Sequence, residues 1–437
     1  MLPSLFYSTL SVLIVLYCWL RYRYVRRALY LPDALVLSLA MFAGGVLWLD
    51  RQSNSTAVDM LAGLGQTALL GGLLGALCVA AVDRSIDGRL NPTETVLALE
   101  ARTIRTGLLL CLGVNIIFVA VLFGTSSIRT LLLVAFSDSS QTLLAARKAI
   151  TAGTEGYLAP GLVKQFRDIL APMFICAVLM RGRSGVPLSL ICFTGLTTIG
   201  AMILSGQRFP ALAFLAAAGA SQMVGAHIRG RRIGWASIVA FGGVALTVYT
   251  LLTVLLGRAS RSSTVLDQVT ASTTNLFERV LLVVPGENMR TFTFWGNQGP
   301  TWGGSWLADL GILLPGTNSA LANTMHSLAG GSLQGNSPLA LPVDSWFAWG
   351  WPGVLVVPAV FAISLGRLDL ALIRTRLGLG YAARNVIFFA VPMMYSPYLA
   401  ILYGGLAGAA VLALLIFLGS LGLHHSRRTD GISVIAN

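Results

Sequence analysis

The sequence predicts an all-α fold, a polytopic membrane bundle of about 11 transmembrane helices forming a single membrane domain over residues 1–437. Three observations carry that expectation. Apolar residues make up 55% of the chain and charged residues only 11%, against roughly 25% charged in soluble domains. The mean hydropathy is +0.77. Apolar stretches recur along nearly the whole length, separated by short basic clusters. The formal net charge of +13 comes from those clusters, which read as orientation signals, so no nucleic-acid partner is expected.

The apolar stretches fall near 5–20, 31–49, 60–82, 106–123, 162–180, 186–204, 209–226, 233–256, 347–366, 383–397 and 399–420. Each suits a hydrocarbon core roughly 30 Å thick. The first is followed by Arg21, Arg23, Arg26 and Arg27, the reverse of a cleavable signal peptide, so it is kept as a span. The fifth has the shortest apolar part, with Lys164, Arg167 and Asp168 in its first turns. Basic clusters at Arg21–Arg27, Arg181/Arg183, Arg229/Arg231/Arg232, Arg367/Arg374/Arg376 and Arg427/Arg428 share one side if the N-terminus is outside. That side is expected to be the cytoplasm. The N-terminus is then periplasmic, and the tail 424–437 is cytoplasmic.

Two outer segments exceed plain connectors. The medium one, 124–161, contains Ile128–Phe136 and Leu143–Ile150, which read as amphipathic helices lying on the membrane. The large one, 257–346, is rich in Gly, Pro, Trp, Asn and Thr, and such long loops usually carry function. The inner loop from Asp83 to Arg105 has mixed charge and a helical middle from Pro92. No internal repeat of the transporter kind is visible.

The expected spans hold few charges, which counts against a proton-driven pump. Ionisable residues gather at the outer ends of helices and in the large loop, which points to work at the outer face. Arg208 lies in Leu204-Ser-Gly-Gln-Arg-Phe-Pro210, between two spans at headgroup level. It reads either as a planar fork for a phosphate or as a snorkelling cap. Arg258, Arg261, Arg279 and Arg290 sit on the outer side against the usual charge bias. They read as anion ligands or as partners of Asp267, Glu278, Glu287 and Asp309. The preference for Arg over Lys extends to the cytoplasmic clusters and therefore carries no phosphate signature.

His326, in Asn323-Thr-Met-His-Ser327, is a candidate base or a solvent-exposed loop histidine. Asp344 precedes Ser345-Trp-Phe-Ala-Trp-Gly-Trp-Pro-Gly353 at the start of the ninth span. A carboxylate beside Trp346, Trp349 and Trp351 suits a sugar site, because aromatic faces stack on sugar rings and a carboxylate takes a hydroxyl proton. The alternative is an interfacial aromatic belt with an N-cap aspartate. Trp295, Trp302 and Trp306 extend the aromatic supply into the loop. The five cysteines lie in or beside apolar stretches and read as lipid-facing or packing residues, and no metal motif or phosphate loop is visible.

Two stretches resemble the Wzy-type O-antigen and exopolysaccharide polymerases. Ser205-Gly-Gln-Arg208 is similar to the family's Ser/Thr-Gly-Ser-Arg-Gly turn at a helix end. Gly335-Asn-Ser-Pro338 followed by Asp344–Gly353 is similar to its Pro-Ser pair, Glu and aromatic-Gly-x-x-Gly helix start. Here Asp344 stands at the Glu position and Ser337-Pro338 replaces the Pro-Ser pair. The layout, with a large outer loop before the last three helices, matches as well.

The resemblance implies a GT-C-like helical bundle in the bacterial inner membrane. It implies a metal-independent glycosyltransferase without cofactor, whose substrate is an undecaprenyl-diphosphate-linked oligosaccharide. A hydroxyl of one repeat unit attacks the anomeric carbon of another chain, and undecaprenyl diphosphate leaves. Arg208, Arg258, Arg261, Arg279, Arg290, Lys164 and Arg167 are then expected to bind the diphosphate or donor, with Trp346 against the sugar. Asp344 is the first candidate base and His326 the second. Membrane lipid, a chain-length regulator and a flippase are the implied partners. The related O-antigen ligases carry a His in a similar outer loop, which His326 keeps open. They tend to have His-Asn where this chain has Asp344-Ser345, which favours a polymerase. A lipid-glycan flippase or transporter is the rival of another class, and it calls for broken helices or paired repeats.

Overall fold

The structure, a computed structural model, describes residues 2–24, 29–50, 56–83, 101–124, 166–182, 185–204, 209–230, 239, 242–250, 265–278, 282, 284–295, 299–311, 339–374 and 379–390. Among the described residues it is all-helical, without strands. In hydrocarbon every backbone N–H and C=O must find a partner within its own segment, and an apolar helix does that. The helices are α1 (Leu2–Tyr24), α2 (Leu31–Asp50), α3 (Thr56–Asp83), α4 (Ala101–Gly124), α5 (Ala171–Arg181), α6 (Leu188–Leu204) and α7 (Phe209–Ile228). They continue with α8 (Val265–Glu278), α9 (Val284–Trp295), α10 (Gly304–Gly311), α11 (Leu341–Arg374) and α12 (Leu379–Ala390).

Among the described residues, five helices are long and apolar enough to cross a membrane: those within α2, α3, α4, α7 and α11. The apolar runs of α1 and α6 are shorter. The fifth expected span is a single π-type turn, Phe166–Leu170, running into the 11-residue α5. Pro172 in the first turn of α5 lacks the N–H a regular helix uses, which fits a change of winding there. Of the eighth expected span, 239 and 242–250 are described and helical. The tenth is described only as far as Ala390. The eleventh, most of 124–161 and the tail 424–437 lie outside the described residues.

The core is built on α3. Its glycines let other backbones approach closely, the device helices use where no hydrophobic effect drives them together. A β-carbon on Gly71 or Gly75 would run into the carbonyls of Leu355 and Ala359 on α11. Gly63 lies against Trp351, and Val79 fills the notch at Gly366. Residue numbers rise together along this seam, so α3 and α11 run in the same direction. On its other side α3 meets α2 antiparallel, Gly65 lying by Ala43 and Gly72 by Leu39. Polar side chains add interhelical hydrogen bonds: Asn115 on α4 donates to Thr198 on α6 at 2.9 Å, and Asn385 on α12 donates to Ser221 on α7 at 2.8 Å. Each such bond in a bilayer is worth roughly 0.6–2 kcal/mol.

The segment 257–346, expected from sequence as a long irregular loop, contains α8, α9 and α10. Asp267 and Glu287 occupy the first turns of α8 and α9, where the helix dipole favours negative charge. The expected ninth span also differs, because α11 begins before it and runs past it. Its 34 residues rise roughly 51 Å, well beyond a hydrocarbon core. The helix is interrupted at Gly350 (φ 66°, ψ −160°), a conformation open to glycine, with Pro352 two residues on. The break frees two carbonyls, and the loop before α10 fills them. Thr301 N–H donates to Phe347 at 2.7 Å and Gly303 N–H to Ala348 at 2.6 Å.

Candidate functional site

The head of α11 gathers the side chains most able to do chemistry. Asp344 lies in its first turn, 1% exposed, with its N–H bonded to the Ala340 carbonyl at 2.9 Å. A carboxylate there sits at the positive end of the helix dipole. The indole N–H of Trp306, on α10, donates to Asp344 Oδ2 at 3.2 Å. Trp346 follows, buried, with Phe292 of α9 at 4.9 Å and Phe347 at 5.0 Å between ring centroids. Trp306 meets Trp349 edge-on at 6.0 Å. Such offset and edge contacts satisfy the ring quadrupoles and hold the aromatic wall rigid.

Asn288 pins α9 to this head. It is fully buried, its Oδ1 accepting from Ala340 N–H at 3.0 Å and its Nδ2 donating to the Val284 carbonyl at 2.6 Å. Ala340 N–H precedes the helix and has no intrahelical acceptor of its own, so a side chain from another element meets the need. The loop over the break completes the site. Thr301 Oγ1 bonds both Ser305 Oγ (3.1 Å) and the Phe347 carbonyl (2.9 Å). Trp302, between the two backbone donors, has φ 50° and is 67% exposed. A bulky L-residue in that region carries strain of about 1–3 kcal/mol.

A carboxylate fixed by an indole donor can accept a proton from a hydroxyl that reaches it. Of the residues expected from sequence, Asp344 and Trp346 come together here. Arg290 is on α9, which packs against Trp346 through Phe292, but its guanidinium is exposed and 3.4 Å from Glu287. An exposed pair at that distance holds its partners weakly and leaves the cation available. Arg167 lies in the π-type turn, 1% exposed, bonded to Asp168 at 2.6 and 2.9 Å and 5.9 Å over the Phe118 ring. Arg208, Arg258, Arg261, Arg279, Lys164 and His326 lie outside the described residues.

No protein-family model matches this chain, and neither does a curated protein or a solved structure.

A second polar cluster sits at the other end of the bundle. Arg21 of α1 pairs with Asp33 of α2 at 2.8 Å, and Tyr17 donates to the same carboxylate. Arg21 also lies 5.1 Å over the Tyr30 ring. Tyr30 donates to the buried Asp83 at 3.2 Å. Asp369, also buried, accepts from Leu31 N–H at 3.4 Å and faces Arg384 Nε at 3.9 Å. Because α3 and α11 run in parallel, Asp83 and Asp369 share an end, roughly 37 Å along α11 from Asp344. Asp369 thus caps the N-terminus of α2, and the cluster ties α1, α2, α3, α11 and α12 together. The sequence held two signals for it, Asp83 and Asp369, each beyond the apparent end of an expected span. Tyr30 and Asp83 lie 53 positions apart and Leu31 and Asp369 338, separations that a single sequence does not pair. Among the described residues no group of three or more His, Cys, Asp or Glu is placed to hold a metal ion.

Proposed function

We propose that this chain is a metal-independent glycosyltransferase of the bacterial inner membrane. It joins undecaprenyl-diphosphate-linked oligosaccharide repeat units at the outer face, with Asp344 as the base. The observation that supports this reading is the Asp344 carboxylate, held by the Trp306 indole at the head of a long apolar helix that also carries Trp346. The step is a substitution at an anomeric carbon. The acceptor oxygen forms the new glycosidic bond, its proton passes to Asp344, and the bond to the diphosphate breaks with the electron pair leaving on phosphate oxygen. Diphosphate is a good leaving group, so cationic side chains that meet its growing charge serve in place of a metal. Arg208, Arg258 and Arg261 are assigned that work, and Arg290 is the described cation nearest in sequence to the aromatic wall.

The transporter reading gains one observation, the interruption of α11 at Gly350. Transporters use such breaks to offer free backbone groups to a substrate near the midplane. Here the break is near the head of the helix, and the freed carbonyls of Phe347 and Ala348 are taken by Thr301 and Gly303. The deciding experiment is deletion of the gene followed by analysis of the lipid carrier. Single repeat units accumulating on undecaprenyl diphosphate at the outer leaflet support polymerisation. Long chains accumulating there indicate a ligase, and units trapped at the inner leaflet a flippase.

A further inference from the structure

The exposure of α11 changes abruptly at Trp349. From Leu341 to Ala348 every residue is buried, so no face of the helix is open. From Trp349 onward one face is open, through Pro352, Val356, Val360, Ile363 and Arg367, at the spacing of a single helix face. A stripe of Pro, Val and Ile left open on a membrane helix faces acyl chains. The rise from Trp349 to Arg367 is roughly 27 Å, close to a hydrocarbon core roughly 30 Å thick. A tryptophan ends the stripe at one side and an arginine at the other, the residues that mark a membrane–water interface. Trp351 and, on the antiparallel α2, Trp48 are exposed at the same end as Trp349. Trp19 is exposed at the opposite end, just before Arg21 in sequence. Among the described residues no exposed tryptophan lies between the two ends.

The turn before α10 is built onto this boundary. Thr301 N–H and Gly303 N–H take the carbonyls of Phe347 and Ala348, and a β-carbon at Gly303 would come within 2.8 Å of the Trp349 ring. Trp302 lies between those donors and is 67% exposed; Leu307, one turn into α10, is 70% exposed. The other face of α10 is committed to protein: Ser305 is buried and the Trp306 indole donates to Asp344. Glycine would adopt the left-handed backbone of Trp302 (φ 50°) without strain, so the turn alone does not call for an indole. A short helix with one face on protein, large apolar side chains on the other and a place at the lipid boundary has the character of an interfacial helix.

We propose that the turn 299–303 and α10 dock on the bilayer, with Trp302 and Leu307 inserted among phospholipids where headgroups meet acyl chains. Lipid is the occupant because the turn that carries these side chains packs on Trp349, the end residue of the lipid-facing stripe. Docking sets the depth of the head of α11. Asp344 lies roughly 7.5 Å beyond Trp349 along the helix, within a headgroup layer about 5–8 Å thick. Asp344 is therefore level with lipid phosphates, whatever reaction it serves. The proposal does not rest on the glycosyl-transfer reading, and its test uses no glycan.

The test uses the full-length protein in nanodiscs of phosphatidylglycerol and phosphatidylethanolamine, with bromine on the acyl chains either next to the headgroup or at the chain end. The signal is the fluorescence present in wild type and lost in Trp302→Phe, a variant that keeps an apolar ring in the turn and should unfold at the wild-type temperature. That component should be quenched more by bromine next to the headgroup than by bromine at the chain end, and should resist aqueous iodide. Quenching by iodide without quenching by either bromolipid puts the ring in water and overturns the proposal. Stronger quenching from the chain end puts the ring in the hydrocarbon core and overturns it too. Leu307 is tested separately, by a nitroxide on Leu307→Cys in a background lacking the native cysteines. Its collisions with oxygen should exceed those with a water-soluble nickel chelate, as they should for Val356→Cys on the lipid-facing stripe. A Leu307 label that prefers the chelate while the Val356 label prefers oxygen takes α10 out of the membrane and sinks the proposal.

Discussion

Asp344 is the residue on which the proposed chemistry turns, and its surroundings set what a substitution tests. Asp344→Asn keeps the shape and an acceptor for the Trp306 indole, so the fold should survive. A general base contributes roughly a hundredfold or more to rate, so kcat for elongation should fall by about that factor with little change in KM. A fully active Asn variant moves the base role to His326 or removes it. Arg208→Ala should abolish elongation while the protein still inserts normally, and normal polymer length in that variant excludes Arg208 from the mechanism. At the opposite end, the Asp369–Arg384 pair is buried on both sides. Removing one partner leaves an uncompensated charge, at a cost on the order of 3–5 kcal/mol. Asp369→Leu and Arg384→Leu should each lower the unfolding temperature, and the double variant should recover part of the loss; additive losses would mean that the two do not act as a pair. Asp344 and Trp346 were legible in the sequence because charge and aromatic residues stand together at a span boundary. Asn288 was not, since a lone Asn in a polar segment does not announce the backbone N–H it will meet at Ala340.

Among the elements, the α3–α11 seam carries the core. Its glycines admit a partner backbone, and nothing larger fits without moving one helix off the other. Gly71→Leu should therefore destabilise by about 1–3 kcal/mol or more, read as a lower unfolding temperature in detergent. Gly113→Ala is the control, because a β-carbon there meets nothing within 4 Å, and an equal loss in both would deny the seam its role. The helices themselves were legible, since long apolar runs in lipid have one way to satisfy their backbones. Their ends were less so. The ninth span stops near Gly366 by apolar content, but α11 continues to Arg374, where its polar residues pack on α2 and α12. The helices within 257–346 were missed because Gly, Pro and Thr hide them, although the acidic first turns of α8 and α9 were there to be read.

The parallel course of α3 and α11 constrains the whole molecule. Two neighbouring helices that point the same way need an odd number of membrane crossings between them, and the sequence expectation places five there. Single cysteines at Thr56 and Gly304 should therefore label from one side of the membrane and Arg367→Cys from the other, in a background lacking the native cysteines. Thr56 and Gly304 labelling from opposite sides would break the parallel arrangement. Hydropathy gives the extent of each span but says nothing of which spans touch, so the bundle's centre could not be read from the chain. That centre has a consequence for how the protein is made. Gly71 and Gly75 wait for Leu355 and Ala359, 284 positions further along. At roughly 5–20 residues per second the ribosome needs about 15 to 60 seconds to deliver them. Throughout that interval the glycine face of α3 borders acyl chains or the insertion machinery, and a nascent chain released before α11 emerges carries that vacant notch as a mark for quality control.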